Sequence, residues 1–428
     1  MKDAELDRIS CLPGDIIDQI LSHLPIKEAA RTSVLSSKWS NNWYTLPNLV
    51  FDKNCVSTEP YEDSTVIHNK FSRIVDHVLL LHYGPINKFE INDNYSNLID
   101  IDRWILHLIR RSIKKLVLKI NGLNWFQHYK IPWRLFSCQS LQHLELSCCC
   151  LKPPMTFKGF KNLKNLRLSN VKMTQDDFEN LISSSPLLEK LIFLVSNTFK
   201  QIDGFKQINI YGPNLKVFDF IGDFEDISFH NTFKLSELIV HLSTGRIQGE
   251  CSSNLLQFFI HLPNIQSLEI NHSFLKYLAT GIVPVNLPTP CINLRSLILR
   301  INFDEWKEIS ASLCLLKNSP NLQKLQITAV TMRKTKLLTS ASCWENIFSE
   351  PTMAFQVRHV RIYDFSGFKS ELNLIRYLLL YSPVLEKMIV SRPSYVNVGH
   401  KLMHKLMKEL NKFKRQRASE QADVIFEM

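Results

Sequence analysis

The stretch Leu163-Lys164-Asn165-Leu166-Arg167-Leu168 decides how this chain folds. Its apolar residues follow the spacing apolar-x-x-apolar-x-apolar, and the spacing returns on both sides. Before it stand Ile86-Phe89-Ile91, Ile113-Leu116-Leu118 and Leu141-Leu144-Leu146. After it come Leu188-Leu191-Phe193, Leu215-Phe218-Phe220, Leu235-Leu238-Val240, Ile265-Leu268-Ile270, Leu294-Leu297-Leu299, Leu322-Leu325-Ile327, Val357-Val360-Ile362 and Leu385-Met388-Val390. One apolar triplet is uninformative, but twelve whose starts lie 20–35 residues apart are a repeat. Pro186, Pro213, Pro263, Pro320 and Pro383 each stand two residues before a first anchor. A proline there stops a preceding helix and extends the chain into the next strand.

In an extended strand Leu166 and Leu168 share one face, and Arg167 between them points the other way. Each unit must return by a helix or an irregular turn and can bury its apolar face only against its neighbours. One return helix is visible at Thr174–Ser183, where Phe178, Leu181 and Ile182 sit at helical spacing. The intervals lie mostly in or within one residue of the leucine-rich-repeat window, and Asn121, Cys149 and Asn302 occupy the ninth position, where Asn or Cys recurs. The expected class is therefore α/β: an irregular leucine-rich-repeat solenoid with a parallel β-sheet on the concave side and helices and loops outside. The longest interval, from Leu322 to Val357, carries Thr331-Met332-Arg333-Lys334-Thr335-Lys336 and reads as an inserted loop or a subdomain boundary.

Composition narrows the function classes. The 428 residues suffice for two to four domains, and 45% hydrophobic with 21% charged residues is globular, not disordered, composition. Lys and Arg number 51 against 40 Asp and Glu, a mild excess spread along the chain, so no nucleic-acid partner is expected. Ten Cys are too sparse for a disulfide scaffold. Met1–Arg8 lacks a secretory pattern and no run of 18 residues is predominantly apolar. The expectation is a soluble chain of the cytoplasm, the nucleus or both, without a membrane partner.

The first fifty residues form a different unit. Pro13 suits the first turn of a helix, Ile16, Ile20 and Leu24 form one stripe with Ile17 and Leu21 beside it, and Pro25 ends it. A second helix is expected from Ile26 to Leu35. A third, capped by Ser36 or Ser37, would carry Trp39 and Trp43 one turn apart. Three helices of this length cannot bury all of this surface alone, so the stripe wants a partner.

The run Leu12-Pro13-x-x-Ile16-x-x-x-Ile20-Leu21-x-x-Leu24-Pro25, followed by Lys27-Glu28-Ala29-Ala30-Arg31-Thr32-Ser33-Val34-Leu35-Ser36-x-x-Trp39-x-x-x-Trp43, resembles an F-box over about forty residues without a gap. Tyr44-Thr45-Leu46-Pro47-Asn48-Leu49-Val50-Phe51-Asp52 resembles the segment that follows it in plant F-box proteins. At the far end, Gly367 to Leu379, Pro383 to Met388, Phe413-Lys414-Arg415-x-x-Ala418-Ser419 and Asp423 to Phe426 resemble the FBD module, with Tyr381-Ser382 where that family has Asn-Ala. The whole chain resembles plant F-box/FBD/leucine-rich-repeat proteins. The resemblance implies a three-helix F-box at 1–50, repeats at 51–340, and an FBD domain at 341–428 that continues and caps the solenoid.

It also implies a function: the non-catalytic substrate receptor of a Skp–cullin–F-box ubiquitin ligase. Leu12, Pro13, Ile16, Ile20, Leu21, Leu24 and Pro25 would face a Skp-type adaptor, with Ala29, Val34, Leu35 and Trp39 in or beside the contact, about half of the set holding the helices together instead. Through the adaptor the chain would join a cullin–RING ligase. The target protein would lie on concave-facing residues, among them Lys115, His143, Arg167, Lys190, Arg300, Lys324, His359 and Arg361, whose basic excess favours an acidic segment. The alternative is an F-box scaffold that delivers nothing for ubiquitylation.

Other motifs have plainer readings. Adjacent cysteines at Cys148-Cys149-Cys150 point to opposite sides of a strand, and no second pair follows, so they read as structural. Asp100-Ile101-Asp102 lacks the other ligands of a calcium loop and reads as a cap for a helix carrying Trp104 and Leu108. Lys401–Arg417 is a basic amphipathic helix, read as a terminal cap on the last repeats. No catalytic motif, metal set or cofactor signature is present, and none of these is expected.

Overall fold

A computed structural model describes residues 9, 11–40, 42–56, 62–93, 100–120, 129–195, 205–243, 254–281, 283–284, 286–287, 289–330, 344, 347–348, 354–392 and 400–427. The Thr331–Lys336 insertion, Asn121 and the expected boundary at residue 341 lie outside these. The chain divides into two compact units, Met1–Asp203 and Gly204–Met428.

The first unit holds strands β1 (Asn48–Asp52), β2 (Lys88–Asp93), β3 (Lys115–Ile120), β4 (Tyr129–Lys130), β5 (His143–Ser147), β6 (Cys149–Cys150), β7 (Asn165–Ser169) and β8 (Lys190–Leu194). β1, β2, β3, β5, β7 and β8 pair in parallel in that order, and β4 pairs with β6. Register stacks the repeat's anchors: Leu49, Phe89, Leu116, Leu144, Leu166 and Leu191 are successive partners, all buried. Each such side chain contributes about 1.5–3 kcal/mol by leaving water, which no single repeat could collect alone.

Among the described residues, five α-helices complete this unit: α1 (Gly14–Ser22), α2 (Ile26–Arg31), α3 (Ser64–Leu81), α4 (Ile101–Arg110) and α5 (Gln175–Ser183). The α5 N-terminus is capped by Thr174, whose Oγ1 accepts from the Asp177 amide at 3.1 Å. Asp100 precedes α4 but does not cap it with its side chain; it pairs with Arg103 at 3.2 Å instead.

The second unit repeats the plan. Its strands are β9 (Phe205–Tyr211), β10 (Val217–Gly222), β11 (Phe224–His230), β12 (Glu237–Leu242), β13 (Ser267–Ile270), β14 (Ser296–Asn302), β15 (Lys324–Val330), β16 (His359–Tyr363), β17 (Lys387–Ser391) and β18 (Asp423–Glu427). From β10 and β12 through β18 successive strands pair in parallel and in register, while β9 and β11 form a separate parallel pair. Its helices are α6 (Asn254–Ile260), α7 (His272–Leu278), α8 (Trp306–Lys317), α9 (Lys369–Tyr381) and α10 (His400–Arg415).

All twelve strands expected from the repeat form. Two more, β1 and β18, extend the series. The basic C-terminal helix α10 packs on α9 and buries Leu406 and Leu410, so part of its apolar stripe serves the fold. The following segment is stitched down: the Ala418 amide donates to the Leu379 carbonyl at 2.8 Å, and Ser419 Oγ donates to that of Leu385 at 2.7 Å. The cysteine triplet is structural. Cys148 takes a left-handed turn (φ 53°), and Cys149 is wholly buried, which pushes its thiol far above the usual range.

Candidate functional site

Two kinds of surface offer themselves, one at the N-terminus and one on the sheets. α1 starts after Pro13 and ends at Ser22, before Pro25. It turns Ile17 and Leu21 fully inward and leaves Ile16 and Ile20 41% and 40% exposed. α2 starts after Pro25 and buries Ile26 and Ala29. It ends four residues before the expected Leu35, passing into a 3-10 turn at Thr32–Val34.

The expected third helix is not an α-helix. A turn in which the Trp39 amide donates to the Ser36 carbonyl is followed by a 3-10 helix at Asn42–Thr45. The Ser- and Asn-rich run before Pro47 has poor helix formers and is too short to propagate. Trp39 and Trp43 are both buried, and Trp39 Nε1 donates to the Ile9 carbonyl at 3.2 Å.

The eleven residues singled out at this end therefore separate. Pro13, Ile16, Ile20, Pro25, Val34 and Leu35 are exposed, Leu12 and Leu24 are half-buried, and Leu21, Ala29 and Trp39 are interior. Val34 at 88% and Leu35 at 49% are unusually open for aliphatic residues, and Ile9 joins them.

The small helical module is held on the sheet by backbone chemistry. β1 pairs along its whole length with β2, and His82 Nε2, buried in the sheet-side wall, donates to the Leu46 carbonyl at 2.8 Å. Lys27 Nζ donates to the Asn54 carbonyl at 2.7 Å. Tyr83 and Gly84 amides donate to the Tyr44 carbonyl, and a Cβ on Gly84 would lie 2.7 Å from Thr45 Cα, so only glycine fits.

On the sheets, residues between the anchors face out. In the first unit, Lys115 and His143 are direct register partners, as are Asn165 and Lys190, while Arg167 lies one position on, beside Glu145. Glu145 is the hub of this face. Lys119 stands 3.4 Å, Arg167 3.5 Å and His143 3.8 Å from its carboxylate. His143, then Lys119 and Arg167, hold its carboxyl below the usual range against the opposing effect of burial. Glu90 takes Lys88 at 2.7 Å and touches Lys119 at 4.0 Å. Five cations (Lys88, Lys115, Lys119, Arg167, Lys190) thus share the face with three carboxylates, Glu90, Glu145 and, on the β1 edge, Asp52, and Lys115 and Lys190 have no ion pair among the described residues. Lys88 and Glu90 were missed as face residues, although Glu90 sits between the anchors Phe89 and Ile91.

The second unit's face is mixed. Lys324 and His359 are register partners, and Arg361 stacks on Tyr363 at 5.5 Å. Arg300 lies near Glu269, which His241 approaches to 3.3 Å. His359 is already engaged with Glu386 at 3.5 Å. Half-buried Ile239, Ile298 and Ile389 occupy the between-anchor position here. A basic excess thus belongs to the first unit's face. Among the described residues no group of three His, Cys, Asp or Glu is placed to hold a metal, and no helix is long and apolar enough to cross a membrane.

An F-box domain model matches residues 9–50, and a model described as FBD-associated F-box protein At5g56370, LRR repeats, matches residues 101–327. The F-box/FBD/LRR-repeat protein At1g13570 of Arabidopsis thaliana is 38% identical over 394 residues, 90% of this chain and 91% of that protein. The chain belongs to the plant F-box/FBD/LRR-repeat family. Two further Arabidopsis relatives, the putative F-box protein At3g58860 and the F-box/FBD/LRR-repeat protein At1g51370, are each 27% identical, over 91% and 90% of this chain and 89% of each of theirs. As an F-box/FBD/LRR-repeat protein the chain is a protein-interaction molecule, and its two kinds of exposed surface fit that role: open aliphatic side chains on the F-box and charged sheet faces on the repeats.

Proposed function

We propose that this protein is the target-holding subunit of a Skp–cullin–F-box ubiquitin ligase and performs no covalent step itself. The observation that carries the reading is the split of α1: within an F-box module anchored on the sheet, Ile16 and Ile20 stay open, as Val34 and Leu35 do after α2. Pro13, Ile16, Ile20, Pro25, Val34 and Leu35 dock on the Skp-type adaptor, with Leu12 and Leu24 at the margin. Leu21, Ala29 and Trp39 shape that surface from inside. Aliphatic anchors around a rigid module are the usual chemistry of such an interface.

The repeats hold the target. An acidic segment suits the first unit's face, where Lys115 and Lys190, which have no ion pair among the described residues, lie on either side of the Glu145 network. Tethering both partners raises the effective concentration of target lysines at the conjugating enzyme, which is the chain's whole contribution to rate. The F-box at 1–50, repeats at 51–340 and FBD domain at 341–428 divide the labour, in the cytoplasm or nucleus.

Because β1 runs through residue 50, point variants test this better than truncation. The full chain is co-expressed with a Skp-type adaptor and a cullin, beside Ile16→Asp with Ile20→Asp. The wild type should co-purify and the variant should remain folded but alone. A variant that still co-purifies, or a folded wild type that never does, overturns the reading.

A further inference from the structure

A second exposed surface lies in the connections between strands of the first unit. From Tyr129 to Thr174 the chain carries eight cations and one carboxylate, Glu145, and that one is taken up on the sheet face by Lys119 and Arg167. Two loops of adjacent repeats run side by side here, because the Ile131 amide donates to the Cys150 carbonyl and the Leu151 amide to that of Lys172. The first loop forms a 3-10 turn at Trp133–Ser137 that sends Leu135 and Phe136 inward and Trp133 outward. The second passes through Pro153-Pro154 to Met155. Phe136, Phe157 and Phe160 pack together beneath, with ring centroids 5.1–6.0 Å apart, and fix one loop against the other.

On this rigid base Trp133 is 63% exposed and Met155 wholly so. The Arg134 guanidinium sits 5.2 Å from the Trp133 ring centroid. Lys130, Lys152 and Lys158 are exposed nearby in sequence and have no ion pair among the described residues. Trp, Met and Arg are the residues enriched in the centres of protein interfaces, and lysine belongs to their rims. A single-stranded nucleic acid would want successive aromatic platforms, and here the other large exposed side chain of the two loops is Met155, not an aromatic ring. Of the carboxylates nearest this surface, Asp102 accepts from the Tyr129 hydroxyl, and Asp176 and Asp177 lie in the first turn of α5, where they suit its N-terminal end.

We propose that this outer surface is a docking site for an acidic segment of a partner protein, whose apolar side chains cover Trp133 and Met155 while its carboxylates meet Lys130, Lys152 and Lys158. It is separate from the sheet face and does not depend on the ligase reading. The probe is an array of synthetic peptides in which runs of Glu and Asp are interrupted by Leu, Phe or Trp, with Lys-for-carboxylate and Ser-for-apolar controls. Phosphatidylserine vesicles and oligouridylate are tested in parallel. The full chain should select the acidic, apolar-bearing peptides. Trp133→Ala with Met155→Ser should weaken them at least tenfold, as should Lys130→Glu with Lys152→Glu and Lys158→Glu, at unchanged melting temperature. Lys115→Glu with Lys190→Glu, on the sheet face, should leave them bound. No selection over the controls, binding that survives both variants, or loss confined to vesicles or oligouridylate overturns the proposal.

Discussion

The sharpest test of the F-box surface contrasts two pairs of neighbours on α1. Ile16 and Ile20 are 41% and 40% exposed, whereas Ile17 and Leu21 are fully buried. Complete burial of such a side chain is worth about 1.5–3 kcal/mol, so covering the open two-fifths of Ile16 and Ile20 contributes about 1 kcal/mol each. Ile16→Ala with Ile20→Ala should then cost about 2 kcal/mol of adaptor binding, roughly a thirtyfold rise in Kd. Alanine favours the helix, so stability should hold. Ile17→Ala with Leu21→Ala removes interior volume at about 2–5 kcal/mol per site and should melt the module. Calorimetric titration of the adaptor into each purified variant, beside urea melts followed by hydrogen exchange, separates the two effects. An unchanged Kd for the exposed pair would refute the docking face. Equal destabilisation by both pairs would refute the split of burial on which it rests.

Three further outcomes are expected. Gly84→Ala drives a methyl into the Thr45 backbone, an overpacking cost of about 1–3 kcal/mol, and should erase exchange protection at the Tyr83 and Gly84 amides; retained protection would show the approach to be loose. Glu308 and Glu371 are buried, and burial raises each carboxyl to about 7 although backbone amides donate to it. The folded state therefore holds these protons where the unfolded chain has released them, so the stability they contribute is complete below about pH 4.5 and lost as pH rises through 7, on the order of 3 kcal/mol per group. Glu308→Gln and Glu371→Gln should each flatten the fall in urea midpoint between pH 5 and 8, and a slope unaltered by either would contradict the assignment. Glu145→Gln releases Lys119 and Arg167 on the first unit's sheet face and should tighten binding of an acidic target several-fold in low salt, an effect that salt removes; weaker or unchanged binding would place the target elsewhere.

The repeat was legible because its cause is local. An apolar residue at each of three positions is enough to specify a strand whose face is inward, and nothing distant changes that. β1 obeys the same rule, since Leu46, Leu49 and Phe51 have the repeat's spacing and are all buried. The same residues also resemble the segment that follows an F-box, and that resemblance masks their repeat spacing. β18 has Val424 and Phe426 but Gln421 where the first anchor should be, so its pairing with β17 is visible only in three dimensions. β9 and β11 alternate without the three-residue lead-in and gave no repeat signal.

The sites divide along the same line. Alternation alone places Arg167 on the outer face, but that Glu145 lies within reach depends on register between strands 22 residues apart in their anchors, which spacing does not encode. On α1 the difficulty is sharper. Ile16, Ile20 and Leu24 make as good an inward stripe as Ile17 and Leu21, and periodicity cannot choose between them. The choice is made by what α1 packs on, the 3-10 turn at Asn42–Thr45, and that turn exists because the chain there could not become the expected helix. A helix with one stripe in a core and another open has a reason to keep both: the first packs on the 3-10 turn that leads into β1, and the second is left for another protein. Were Ile16 and Ile20 mere leftovers, exchanging them for polar residues would improve solubility and cost nothing, and the adaptor titration would show it.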